Sequence, residues 1–285
     1  MHDLLIIGGG PGGCAAALRA AKGGLSVALF EPRQVGGTCL NRGCIPTKAL
    51  LHGAGPGCHW ARLAEEKETV VNTLRSGMEK QLKAAKVEVV PAQAVITGPN
   101  TVRTPDGTVW EGRSILVAVG SFPAPLPIPG VDLPGVVNSD GLLDDIRPRD
   151  HLLIIGGGVI GVELAWVWAS AGCRVTIVEA LDRLIANLDR ELSQSLTMEL
   201  KKAGVAVYTG ASVSEITPGL TVRFTHKGAE QTVEADTVLV AAGRKPATNG
   251  LFEGISPAMD RGFLKVDDQF RTSIPSIYAI GGAIG

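Results

Sequence analysis

Aromatic side chains are scarce in this chain, at 4% of its 285 residues. That excludes the aromatic platform on which single-stranded nucleic acids stack. Charge of one sign is lacking as well. The formal net charge is −1, so no basic field draws in a polyanion. No apolar run reaches the roughly 18 residues of a membrane span. The opening "MHDLLIIGGG" is too short for a signal peptide and lacks its basic start. These absences predict a cytoplasmic protein without nucleic-acid or membrane partners. Cysteine is sparse, with five in the chain, yet two of them, Cys39 and Cys44, have only four residues between them. In a reducing compartment such a pair points to catalysis or metal binding more than to a structural bridge.

Glycine is plentiful, at 37 residues, while hydrophobic residues make up 45% and charged residues 19%. Short apolar strands between glycine-rich turns predict an α/β protein, and the length suffices for two domains. The chain also repeats itself. "LLIIGGGPGGCAAALRAAKGGLSVALFE" starts at Leu4, and "LLIIGGGVIGVELAWVWASAGCRVTIVE" starts at Leu152, an offset of 148 residues. Each copy reads as a buried strand, a helix and a second buried strand. Gly8, Gly10 and Gly13 fit G-x-G-x-x-G, and so do Gly156, Gly158 and Gly161. In this pattern the first glycine makes the tight turn. The second lets a pyrophosphate approach, and the third lets helix pack on strand. The intervening Pro11, Gly12, Val159 and Ile160 fall where a helix begins, at the positively polarised end that favours phosphate. Glu31 and Glu179 end the second strands, where a carboxylate accepts ribose hydroxyls. Two such units predict two Rossmann-like, doubly wound dinucleotide-binding domains. A flavin and a nicotinamide in an electron-transfer enzyme explain the duplication.

"SILVAVG", ending at Gly120, and "TVLVAAG", ending at Gly243, form a second matched pair of buried strands. Alternating segments between Val87 and Val109 and between Val205 and Val233 suggest β-meander excursions. Pro- and charge-rich linkers place one boundary near residue 145. "TSIPSIYAIGG" reads as a strand returning to the first domain, with Gly281 in its terminal turn. The expected domains are therefore 1–145, 146–266 and a return segment 267–285.

On an ideal helix, Cys39 and Cys44 would have Cα atoms roughly 8–9 Å apart on diverging faces. A disulfide needs them within about 7 Å. Only a distorted helix bridges them, and Gly43 and Pro46 are the residues that distort one. Three readings compete. A zinc site would recruit Cys58 and His59, at a spacing on the edge of the structural pattern and with no second close pair. The cysteines could be unbonded and structural. A strained, reducible pair suits redox chemistry and fits best. Cys14 and Cys173, among small apolar neighbours, read as packing thiols.

Together these motifs resemble the FAD-dependent pyridine nucleotide–disulfide oxidoreductases. "GGTCLNRGCIPTKALL" (36–51) is most similar to the dihydrolipoamide dehydrogenase branch. The resemblance implies that Gly8, Gly10, Gly13 and Glu31 bind the ADP half of FAD. Gly37, Thr38 and Gly120 would approach the flavin nucleotide. Cys39 would meet the substrate and Cys44 the flavin, with Lys48 near flavin N5 and paired to Glu163. Gly156, Gly158, Gly161 and Glu179 would hold the pyridine nucleotide, with Gly243 and Arg244 nearby. Glu179 favours the free 2′-hydroxyl of NAD over the phosphate of NADP. Electrons would pass between a lipoamide-like dithiol and NAD through the Cys39–Cys44 disulfide and FAD.

Two departures from the family are visible. Gly282 stands where the family carries an aspartate that binds the ribityl chain. The family also continues into an interface domain that makes its homodimer and supplies a His–Glu pair, and no counterpart is read here. The expectation is an impaired oxidoreductase. The alternative is a nucleotide-binding protein or subunit that needs a partner chain.

Overall fold

The protein is described over residues 1–285 by a computed structural model. β1 (His2–Ile7), α1 (Pro11–Lys22) and β2 (Val27–Phe30) form the first repeat. The strands run parallel, with Leu4 opposite Val27 and Ile7 opposite Phe30. Leu5, Ile6, Leu29 and Phe30 are fully buried. Burial on both faces is what lets a parallel strand read as a continuous apolar run. Pro11 opens α1, where a missing N–H breaks no helical bond.

The cysteine stretch forms α2 (Gly37–Arg42) and α3 (Cys44–Gly53), followed by the long α4 (Trp60–Ala84). β3 (Glu88–Val90) lies parallel to β2. β4 (Val95–Gly98), β5 (Thr101–Arg103) and the start of β6 (Val109–Val117) form an antiparallel excursion. The rest of β6 runs parallel to β1. The sheet order is β3-β2-β1-β6-β5-β4.

Beyond β7 (Ser121–Pro123) come β8 (Val136–Asn138) and α5 (Ser139–Asp144). The Asn138 side chain caps α5 by accepting the Gly141 N–H. β9 (His151–Ile155), α6 (Val159–Ser170) and β10 (Arg174–Glu179) copy the first repeat. α7 (Arg190–Lys202) and β11 (Ala206–Thr209) follow. β12 (Ala211–Thr217), β13 (Thr221–His226) and β14 (Ala229–Glu234) form the expected antiparallel meander ahead of β15 (Thr237–Val240). The second sheet has the order β11-β10-β9-β15-β8 and is parallel throughout. β16 (Arg244–Pro246) pairs with β7, and β17 (Met259–Asp260) with β18 (Phe263–Leu264). β19 (Ile277–Ala279) then returns parallel to β6, as expected, and a short 3₁₀ turn covers Gly281–Ala283. No helix is long and apolar enough to cross a membrane.

The chain divides into two compact units. One holds residues 1–44, 71–122 and 244–285, and the other holds 45–70 and 123–243. These limits differ from the expected breaks at 145/146 and 266/267, for reasons of packing. β8 pairs with β15, and Leu142 and Leu143 of α5 pack in one core with Trp168, so the second unit begins before residue 145. Leu50 of α3 and Leu63 of α4 join that same core, and Trp60 lies 5.6 Å from Trp168, ring to ring. Leu251 and Leu264 belong instead to the core of Phe30, Ile115 and Ile277 in the first unit.

Candidate functional site

The two glycine loops have matching geometry. Gly8 has φ +106° and Gly156 φ +113°, a left-handed turn that favours glycine. A Cβ at Gly8 would lie 2.3 Å from the Ala118 carbonyl oxygen, and one at Gly156 would lie 2.5 Å from that of Ala241. Gly13 and Gly161 are closed just as tightly. Their Cβ atoms would sit 1.9 and 2.0 Å from the carbonyl oxygens of Gly8 and Gly156. Gly10 and Gly158, the N-caps of α1 and α6, behave differently. A Cβ at Gly10 would meet nothing nearer than Gly37 Cα at 4.0 Å, and one at Gly158 would meet nothing within 4 Å. Neither helix is capped by a side chain. Each helix therefore starts with unsatisfied N–H groups beside open space, which is what a pyrophosphate needs.

The carboxylates close the loops in the same manner. Glu31 accepts the Gly9 and Arg33 N–H groups, both at 2.9 Å. Glu179 accepts the Gly157 N–H and, at 2.7 Å, the Leu181 N–H. An ionised carboxylate has about four acceptor positions, so each keeps capacity for two hydroxyls. A cavity of about 450 Å³ opens beside Glu31, lined among others by Arg33, Val35, Leu82, Lys83 and Val89. The residues present thus fit a dinucleotide at each loop.

The cysteine pair sits at a helix break. α2 ends at Arg42 and α3 begins at Cys44, with Gly43 between them at φ −148° and ψ −110°. A Cβ at Gly43 would lie 3.0 Å from the Thr38 carbonyl oxygen and 3.4 Å from Cys39 Cα. The bare glycine lets residue 43 fold back onto residue 39, which is the distortion the spacing demanded. No disulfide is formed in this structure. The break is docked on the first glycine loop. The Gly36 N–H donates to the Gly9 carbonyl at 2.7 Å, and a Cβ at Gly37 would stand 2.6 Å from Gly10 Cα. Thr38 and Cys39 follow directly on α2.

Asn41, which the sequence reading passed over, holds this arrangement. Its amide donates to the carbonyls of Val35 and Gly37, both at 3.0 Å, and its side-chain oxygen accepts from Arg75 of α4 at 3.2 Å. Its place inside "CLNRGC" was the available signal. Cys14 is fully buried and donates to the Gly9 carbonyl at 3.0 Å. Burial pushes its thiol up from the ordinary value, as suits a packing thiol.

Lys48 lies four residues after Cys44 on α3, one turn along the same face. Its Nζ is 2.6 Å from Glu163 Oε1 on α6. The two side chains are 55% and 25% exposed, so the pair contributes no more than about 1 kcal/mol. Glu163→Gln is expected to move the melting midpoint by only a few degrees. A larger drop in differential scanning calorimetry would show that the pair is structural.

Gly120 and Gly243 end their strand turns with φ +70° and +114°. Next to Gly120, Ser121 accepts from Arg244 Nε at 2.8 Å, and its carbonyl accepts from the same guanidinium. Gly281 opens the 3₁₀ turn with φ +66°. A Cβ on the adjoining Gly282 would press on Ser121, 2.9 Å from its Oγ. A carboxylate at residue 282 would have to displace a serine that Arg244 holds in place. No group of three or more His, Cys, Asp or Glu side chains could hold a metal ion.

A cysteine pair at a glycine-broken helix, seated on one of two glycine-loop nucleotide folds, defines the architecture of a nucleotide-dependent thiol–disulfide oxidoreductase. The family model for pyridine nucleotide-disulphide oxidoreductases matches residues 2–284, and the chain belongs to that family. Its members use FAD and NAD(H). The chain is 38% identical to the dihydrolipoyl dehydrogenase of Chlamydia pneumoniae, over 99% of this chain and 66% of that protein. It is 39% identical to that of Bacillus subtilis, over 99% of this chain and 65% of the relative. Among solved structures, the HOCl-induced flavoprotein disulfide reductase RclA of Escherichia coli superposes with TM-score 0.87 and 34% identity, covering 99% of this chain and 66% of that one. The chain spans about two thirds of the length of these relatives.

Proposed function

We propose that this chain moves electron pairs between a lipoamide-like dithiol and NAD, with FAD at the first glycine loop and NAD at the second. The observation that carries the reading is the docking of the cysteine break on the first loop, through Gly36 and Gly37 against Gly9 and Gly10. The flavin and the nicotinamide, when bound, supply the two-electron and hydride chemistry.

In the dithiol-oxidising direction, a substrate thiolate attacks Cys39 Sγ in the Cys39–Cys44 disulfide. The S–S bond breaks and Cys44 leaves as a thiolate. The second substrate thiolate attacks the mixed disulfide, and Cys39 leaves. The electron pair then resides on the two cysteines. Gly8, Gly10 and Gly13, with Pro11 and Gly12 in the first turn of α1, orient one pyrophosphate, and Glu31 takes its ribose. Gly156, Gly158, Val159, Ile160 and Gly161 do the same for the other, with Glu179 selecting NAD. Thr38, Lys48, Gly120, Gly281, Gly243 and Arg244 are proposed as the surroundings of the reacting rings, and Glu163 positions Lys48.

The test is anaerobic. The purified protein is expected to be yellow, and NADH should raise its count of alkylatable thiols by a pair mapping to Cys39 and Cys44. NADPH should do so far more slowly. A colourless protein whose thiols ignore NADH rejects the reading and leaves a nucleotide-binding protein.

A further inference from the structure

Three cysteines lie outside the site described above, and two of them converge. Cys58 follows the end of α3 in the segment Ala54-Gly55-Pro56-Gly57-Cys58, and Cys173 occupies the turn between α6 and β10. Both belong to the same compact unit, and both pack against the same apolar core. Their neighbours touch. Trp60, two residues after Cys58, lies 5.6 Å from Trp168, ring to ring, and the Cys173 N–H donates to the Trp168 carbonyl at 3.0 Å. Both side chains are partly exposed.

We propose that Cys58 and Cys173 form a second redox pair, a disulfide switch that closes by exchange with a low-molecular-weight disulfide. One cysteine is anchored and the other adjustable. Cys173 is fixed through its own N–H and by the Arg149 N–H, which donates to its sulfur at 3.4 Å. Cys58 sits on a loop in which neither Gly55 nor Gly57 has any neighbour where a Cβ would be, so little packing opposes its adjustment. Burial raises the Cys173 thiol above its ordinary value, and the Asp236 carboxylate and Cys58 add to the rise. The adjustable loop makes Cys58 the sulfur that reaches out to attack, and the anchored Cys173 the one that resolves the adduct. The Cys58 thiolate breaks the S–S bond of glutathione disulfide, joins one glutathione and releases the other as a thiolate. Cys173, as a thiolate, then attacks the Cys58 sulfur and expels the second glutathione. Two protein thiols lose two electrons and two protons, and glutathione disulfide becomes two glutathiones.

The bond would tie the loop after α3 to the turn after α6, the two helices that carry Lys48 and Glu163. It would therefore fix the part of the fold that holds this ion pair. The proposal does not depend on the identity of the substrate or of the cofactors.

The test equilibrates the full chain with reduced and oxidised glutathione over a range of ratios, quenches with acid and maps the peptides by mass spectrometry. A Cys58–Cys173 linked peptide is expected, rising with the oxidised fraction and distinct from any Cys39–Cys44 peptide. The oxidised chain should also melt higher than the reduced one, and Cys58→Ser should erase the part of that rise that Cys39→Ser leaves. The absence of the linked peptide at every ratio, with Cys58 found only as a glutathione adduct, overturns the proposal. Peptide mapping of the unsubstituted chain stands even where a variant fails to fold.

Discussion

Cys44→Ser is expected to abolish NADH-dependent thiol formation and any dithiol turnover, by on the order of 10⁴-fold, the scale at which loss of a covalent catalyst registers. The argument is structural as well as chemical. Cys39 and Cys44 flank one break, at Gly43, whose backbone lies against residues 38 and 39. A serine at position 44 keeps that break and its packing, and removes only the sulfur that closes the disulfide. The variant should therefore melt close to the parent and retain the colour of any bound flavin. Its thiolate at Cys39 can still be captured by a substrate disulfide, giving a mixed disulfide that goes no further. Mass spectrometry of the stalled adduct is the decisive reading. Turnover within tenfold of the parent would remove Cys44 from the chemistry.

The second large effect concerns the glycines that admit no methyl group. Gly13→Ala would drive a Cβ to within 1.9 Å of the Gly8 carbonyl oxygen, a backbone atom with nowhere to go. α1 would have to lift off β1, and we expect a loss of about 3 kcal/mol or more. Chemical denaturation would read this as a lowered midpoint. Gly158→Ala provides the contrast. Its methyl meets nothing within 4 Å, so the fold should tolerate it. The new group would nevertheless occupy the space at the N-terminus of α6, so affinity for NADH should fall while stability holds. Equal stability losses in the two variants would refute this division of roles between the third and second glycines.

Much of this was legible because it is local. The duplicated strand–glycine–helix units, the returning strand at Ile277–Ala279 and the helix break at Gly43 each follow from residues close in sequence. The unit boundaries did not, because they depend on distant contacts. β8 is three residues long and gains its identity by pairing with β15, about 100 residues later. Residues 45–70 look like a continuation of the first unit, yet Leu50, Trp60 and Leu63 pack around Trp168. Asn41 reads as an ordinary polar residue until its partners are seen. Gly282 reads as a lost carboxylate, whereas in the fold it is also the residue that leaves room for Ser121.

The matched carboxylates give the molecule an internal control. Glu31 and Glu179 accept from equivalent backbone positions, the N–H of Gly9 or Gly157 in the glycine loop and the N–H two residues after the glutamate itself, Arg33 or Leu181. Removing either charge should impose a similar cost on its loop, since the local wiring is duplicated. Any excess in one half then reports the nucleotide bound there and not the scaffold. A comparison that normally needs two proteins can be made inside a single chain.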